Sequence, residues 1–141
     1  MSPARGEGAT AVRLRPARRR DLEAIAGIEV QAFGDPWSQG SFGALLDNPL
    51  VWFVVAEEEG SARLAGYIVA WFVADEAEVA NLAVAPALRR RGIGAVLLDD
   101  AIAEAERRGA RAVYLEVRQS NAAARALYRS RGFDEIGTRP S

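Results

Sequence analysis

From Val12 onward, the spacing of hydrophobic positions switches between a period of two and a period near 3.6, and that switching sets the expected elements. Val12 and Leu14 alternate with Arg13 and Arg15, which predicts a strand within "TAVRLRPA". Leu22, Ile25, Ile28 and Ala32 then recur at helical spacing until Asp35-Pro36 interrupts. "WSQGSFGALLDNP" predicts a second, short helix stopped at Asn48-Pro49. "VWFVVAEE" reads as a strand, "EEGSA" as a turn, and "LAGYIVAWFVADEAEVANLAVAP" as two long strands meeting near Asp75-Glu76. Ile93, Leu97, Leu98, Ala101, Ile102 and Ala105 share one helix face, with Arg107-Arg108 in the last turn and Gly109 at a left-handed cap.

"RAVYLEV" follows as a strand, with Val113, Leu115 and Val117 on one face and Tyr114 and Glu116 on the other. Ser120 is a suitable N-cap for the helix "NAAARALYRSR", Gly132 closes it, and "FDEIGTRP" predicts a last strand. The order β-α-α-β-β-β-α-β-α-β predicts one mixed α/β (α+β) domain over residues 10–141, behind a loose polar tail at residues 1–9.

Composition narrows the chemistry more than the fold. The formal net charge of −1 gives no strong field toward nucleic acid or anionic lipid, and no apolar run approaches the roughly 20 residues that span a bilayer. No partner among nucleic acids or membranes is expected, and a cytoplasmic location is. The chain has neither cysteine nor histidine. Thiolate nucleophiles, Ser-His-Asp catalysis and the commonest transition-metal ligands are therefore excluded, and no metal site is expected. Proton transfer falls to Glu, Asp, Tyr, a terminal amine or water.

Two stretches carry candidate chemistry. "VANLAVAPALRRRGIGAVLL" runs from a strand through a basic loop and Gly92-x-Gly94 into a helix. Glycines there admit a ligand close to the backbone, and the first N–H groups of the helix form an anion site. The spacing is neither the dinucleotide fingerprint nor a P-loop. Arg89 to Gly94 suits a pyrophosphate held by main-chain donors with guanidinium groups alongside; a solvated arginine loop is the alternative. In the second stretch, Glu116 ends a strand and Asn121 and Tyr128 sit seven residues apart on the next helix. That spacing puts an amide and a phenol on one face, about 10 Å apart along the axis. Tyr128 could equally be a core aromatic.

On these residues the chain resembles the GCN5-related N-acetyltransferase (GNAT) superfamily, and within it the ribosomal-protein alanine N-acetyltransferases (RimI-type). The likeness runs from about Val12 to Arg139 and is carried by "PWS" at 36–38, "EVANLAVAP" at 78–86, "RRRGIG" at 89–94, "LEVRQSNAAARALYRSRGF" at 115–133 and the closing "IGTR". The resemblance implies direct transfer of acetyl from acetyl-CoA to an amine, within a ternary complex and without an acyl-enzyme. It implies that Leu82, Ala83 and Val84 lend main-chain groups to the pantetheine arm, and that Arg89, Arg90, Arg91, Gly92, Ile93 and Gly94 hold the pyrophosphate. It further implies that Asn121 contacts the pantetheine, that Tyr128 protonates the departing thiolate, and that Glu116 is the general base. The implied acceptor is the N-terminal α-amine of a protein, an alanine terminus of a small-subunit ribosomal protein.

On the substrate side the expected residues are Trp37, Glu78 and Asn81, against the alternatives that Trp37 is a core staple and Glu78 an outward strand residue. Related chains continue past the "IGTR" strand into a hairpin and a closing strand, so a sheet lacking the last C-terminal strand is expected, and with it a monomer or weak homodimer. Transfer to a small-molecule amine, and a non-catalytic acetyl-CoA-binding domain, are the competing functions.

Overall fold

The computed structural model describes residues 11–115 and 122–133. Its elements are β1 (Val12–Pro16), α1 (Leu22–Ala32), α2 (Gln39–Leu46), β2 (Val51–Glu58), β3 (Leu64–Val73), β4 (Glu76–Val84), α3 (Ile93–Arg107), β5 (Ala112–Leu115) and α4 (Ala122–Ser130). Single 3-10 turns precede α1 at Arg19–Asp21 and follow β4 at Pro86–Leu88. The expected tail at residues 1–9, the Ser120 cap, Glu116, Asn121 and most of the last predicted strand lie outside the described residues.

The strands form one sheet in the order β1-β2-β3-β4-β5. Neighbours are antiparallel except β4 and β5, which are parallel and joined across the sheet by α3, as a crossover between parallel strands requires. This is a mixed, mostly antiparallel sheet flanked by helices, in agreement with the mixed α/β domain predicted from the order of elements and with the fold that the GNAT resemblance implies.

Each face of the sheet buries its own apolar cluster. On one side α3 sets Ile93, Leu97, Leu98, Ala101 and Ala105 against Val54, Ala56, Ile68, Ala70, Ala77 and Val79. On the other, α1 and α2 set Leu22, Ile25, Ile28 and Phe42 against Phe53, Val55, Tyr67, Val69 and Ala83. Both helical stripes are those expected from the spacing, because a 3.6-residue period and a period of two leave one apolar face apiece to be covered. Gly109, at φ 76°, ends α3, and its N–H bonds the Glu106 carbonyl.

Charge secures the sheet's outer edge. Arg15, on the polar side of the alternation in β1, lies against the protein and forks onto both carboxylate oxygens of Asp21 at 2.8 and 2.9 Å. It also meets Glu57 on β2 at 3.1 Å, so one guanidinium ties β1 to its neighbour strand and to the turn before α1. At the far end of α3, the Arg108 guanidinium stands 4.2 Å from the Phe72 ring centroid and also covers Trp52.

Candidate active site

The site is built where β4 departs from regularity. Its parallel ladder with β5 runs from Glu76↔Ala112 to Val79↔Leu115. One residue later Ala80 drops out of the ladder with β3, between the pairs Ala70↔Val79 and Val69↔Asn81. A bulge adds twist and reverses the side-chain phase. Before it, Ala77 and Val79 face the α3 side; after it, Asn81 and Ala83 face α1, while Leu82 and Val84 turn to the α3 side. Among the described residues, nothing from β5 accompanies β4 beyond Val79.

The end of β4 leads into the basic loop. Pro86–Leu88 coil in a 3-10 turn that buries Leu88, and Arg89, Arg90, Arg91 and Gly92 follow, all exposed. Arg90 has φ 67° and Gly92 has φ 79°. Left-handed residues in a loop turn successive N–H groups toward one concave side, a geometry that favours anions. Gly92 is the N-cap of α3, with no side chain capping the helix, and its carbonyl already receives the Val96 N–H at 3.1 Å. Among the described residues, the first-turn N–H groups beginning at Ile93 therefore point out of the helix without a side-chain acceptor. Ile93 itself is anchored in the core, which fixes where that helix end points.

The second half of the site packs directly on this loop. A β-carbon placed on Gly94 would lie 3.5 Å from Leu127 on α4 and 3.7 Å from Val84, so α3, α4 and the end of β4 meet at a residue without a side chain. Tyr128, one residue further along α4, is 7% exposed and packs edge-on against Phe133 with centroids 6.3 Å apart. Burial pushes its phenol up to about 12, so it stays protonated at neutral pH. The core reading of Tyr128 and the proton-donor reading are thus compatible: the ring is packed, and the packing preserves the proton. Glu116 and Asn121, the other two expected residues of this half, lie outside the described residues.

Leu82, Ala83 and Val84, expected to lend main-chain groups to the cofactor, lie at the end of β4, and side chains occupy two of those groups. Asn81 Oδ1 accepts the Leu82 N–H at 3.0 Å, and the Val84 carbonyl accepts from Arg89 Nε at 3.4 Å. Ala83 is buried on the opposite face and offers backbone only.

Of the residues expected on the substrate side, Asn81 is buried, and beside it stands a residue that sequence reasoning missed. Asn81 is 5% exposed and engages both ends of its amide. The bulge is the cause, since it turns Asn81 inward toward α1. Its partner there is Glu29, a fully buried carboxylate on α1. Glu29 Oε1 accepts from Asn81 Nδ2 at 2.9 Å and from the Tyr67 hydroxyl, and Oε2 accepts the Trp37 main-chain N–H at 2.8 Å. Trp37 is half-buried and stacks obliquely on Phe42 at 5.4 Å. Trp37 and Asn81 are thereby brought onto one carboxylate. Glu78 is separate from them: it stands half-buried on β4 between Trp71 and Tyr114 in the two ladders. A signal for Glu29 existed, since it falls on the Leu22–Ile25–Ala32 apolar stripe where a charge is out of place.

This fold and this loop-and-bulge arrangement define an acetyltransferase of the GNAT type. Residues 22–133 match the acetyltransferase (GNAT) family. Over 119 residues the chain is 40% identical to the ribosomal protein bS18-alanine N-acetyltransferase of Escherichia coli, covering 84% of this chain and 78% of that one. The crystal structure of the ribosomal-protein-S18-alanine N-acetyltransferase from Escherichia coli superposes with a TM-score of 0.81 at 36% identity, covering 90% of this chain and 80% of that one. A Thermoplasma acidophilum N-acetyltransferase solved in complex with coenzyme A shares the fold at a TM-score of 0.78 and 20% identity, over 93% of this chain and 94% of that one. The chain belongs to the acetyltransferase (GNAT) family and is an acyltransferase by class.

Proposed function

We propose that this protein moves acetyl from acetyl-CoA to the N-terminal α-amine of a protein, an alanine terminus of a small-subunit ribosomal protein, by direct attack in a ternary complex. The observation that carries the reading is the run from the end of β4 through left-handed Arg90 and Gly92 into the N-terminus of α3, which Gly92 leaves without a capping side chain. A cofactor with an extended amide-bearing arm and a diphosphate at its end fits that donor set: strand groups for the arm, helix and loop N–H groups with three arginines for the anion. The similarity to an enzyme named for bS18 alanine acetylation supports the choice of acceptor. The reading also carries a cytoplasmic location, where ribosomal proteins are met, and needs no metal and no nucleic acid.

The thioester supplies an activated acyl group, which leaves the protein mainly alignment and proton transfer. Glu116 takes the proton lost by the amine, directly or through water. An α-amine with a pKa of about 7.7–8.0 is neutral in roughly a tenth or more of molecules at pH 7, whereas a lysine near 10.4 is neutral in about one in 2,500. One ordinary carboxylate therefore suffices for an α-amine. The Leu82 N–H, once released by Asn81, bears on the charge that develops at the acyl oxygen. Tyr128, kept neutral by burial, gives its proton to the leaving sulfur. In this reading Glu78 recognises the incoming α-ammonium group before it loses its proton.

Mass spectrometry after incubation with acetyl-CoA tests the reading, with an alanine-initiated peptide set beside a panel of small amines and polyamines. Acetyl on the peptide α-nitrogen is expected. Acetyl on the small amines alone, or binding of acetyl-CoA with no product, would overturn it.

A further inference from the structure

Among the described residues, Glu29 is a fully buried ionisable side chain that the chemistry above does not use. Removing a carboxylate from water costs several kcal/mol unless its lone pairs are well served, and an apolar residue of similar volume would fill the site without that cost. Among the described residues no arginine pairs with it; what serves it are the Tyr67 hydroxyl, the Asn81 amide and the Trp37 N–H. These donors come from β3, from the β4 bulge and from the α1–α2 loop, and no contact between neighbours in sequence is involved. The same Asn81 amide holds the Leu82 N–H with its other end.

We infer that Glu29 is a positioning residue for the acceptor: by binding Trp37 N–H with one oxygen and Asn81 with the other, it sets the gap between the α1–α2 loop and the β4 bulge through which the amine reaches the thioester. The inference rests on the function proposed above. It deepens that function by placing acceptor selection on a residue that touches neither substrate. Among the described residues, Glu29 Oε2 is the side-chain acceptor of the Trp37 main chain, and the Phe33 N–H closes α1 on the Glu29 carbonyl. Loosening Glu29 therefore frees the loop relative to the bulge. The diphosphate cradle, at the opposite end of β4 beyond Val84, is left as it was.

The test is steady-state kinetics with an alanine-initiated peptide, together with calorimetry of acetyl-CoA, on the wild-type protein, Glu29→Gln and Tyr67→Phe. The glutamine keeps the volume but sets an NH2 group against a donor; the phenylalanine keeps the buried ring and removes one donor. In Glu29→Gln the peptide KM is expected to rise about tenfold, and in Tyr67→Phe by about threefold, the scale of one or a fraction of one hydrogen bond. The acetyl-CoA Kd stays at the wild-type value. Should Glu29→Gln fail to fold, Tyr67→Phe decides by the same two readings. A peptide KM that does not move, or one that rises in step with the acetyl-CoA Kd, overturns the inference, since a purely structural role predicts the second. Wild-type protein that binds acetyl-CoA but transfers nothing overturns the proposed function and this inference with it; an active wild type with indifferent variants overturns this inference alone.

Discussion

Gly66 on β3 lies so close to Ala83 on β4 that a β-carbon added to it would stand 2.6 Å from the Ala83 carbonyl oxygen and 3.3 Å from Val84 Cα. The strands can pair there only because one residue has no side chain, and the paired segment of β4 is the one proposed to carry the pantetheine arm. Gly66→Ala must push β4 outward or break the register. We expect a loss of about 1–3 kcal/mol in unfolding free energy, the usual scale of overpacking a close-packed site. Acetyl-CoA affinity should fall with it. Urea unfolding and calorimetry on the same preparation check both, and a variant with unaltered affinity would show that Ala83 and Val84 lie outside the cofactor path.

Gly92 caps α3 in a left-handed conformation with open space where a side chain would be. Gly92→Val is strained by its backbone, at a cost of about 1–3 kcal/mol, and it also covers the N–H groups of the first turn. Acetyl-CoA should bind about tenfold or more weakly, and free adenosine diphosphate should weaken in parallel, because the loss is at the diphosphate. A selective loss of acetyl-CoA with the nucleotide unchanged would place the diphosphate elsewhere.

Tyr128→Phe keeps the ring against Phe133 and removes only the hydroxyl. Melting temperature and acetyl-CoA Kd should stay near wild type while kcat falls by about 10²-fold, the lower range for loss of a positioned general acid. With the phenol pushed up to about 12, the wild-type rate should show no decline attributable to Tyr128 below roughly pH 10. Glu116→Gln should lower the rate and move the rise of activity with pH upward. Rate–pH profiles of the two variants separate acid from base.

The Arg15 fork makes stability depend on pH. Burial works to raise the Asp21 carboxyl, but the Arg15 hydrogen bonds and charge, with the Arg18 N–H, outweigh it and hold it below its ordinary value. Glu57 is lowered in the same sense by Arg13 and Arg15. A carboxylate with a lowered native pKa contributes stability above its unfolded value and loses it as pH falls through the folded one, so the loss lies below about pH 4. Arg15→Met should destabilise the protein by about 3 kcal/mol at pH 7, since it strands a buried carboxylate. The deficit should shrink toward pH 3, read by urea unfolding at both values.

Several features were legible in the residues themselves. "VWFVVAEE" proved to be β2 to the residue, and the stripe from Ile93 to Ala105 is the buried face of α3. The glycine at 109 and the glycine at 132 take the positive φ expected of helix ends. These are local properties: period, capping and turn chemistry act over a few residues, so the order of letters is enough to read them. Even the β4 bulge left a trace, in the adjacent apolar pair Val79-Ala80 that breaks the alternation of "EVANLAV".

What sequence alone determined, then, is which elements form, which faces of them are buried, and that a basic glycine loop stands between a strand and a helix. Three-dimensional packing decided the rest: that Arg15 turns inward to Asp21 and Glu57, that Asn81 points away from solvent, and that Glu29, Tyr67, Asn81 and Trp37 converge. The physical reason is range. A helix or strand is specified by neighbours along the chain, whereas the partners of a buried charge lie 38 and 52 residues away and are chosen only when the sheet closes over it.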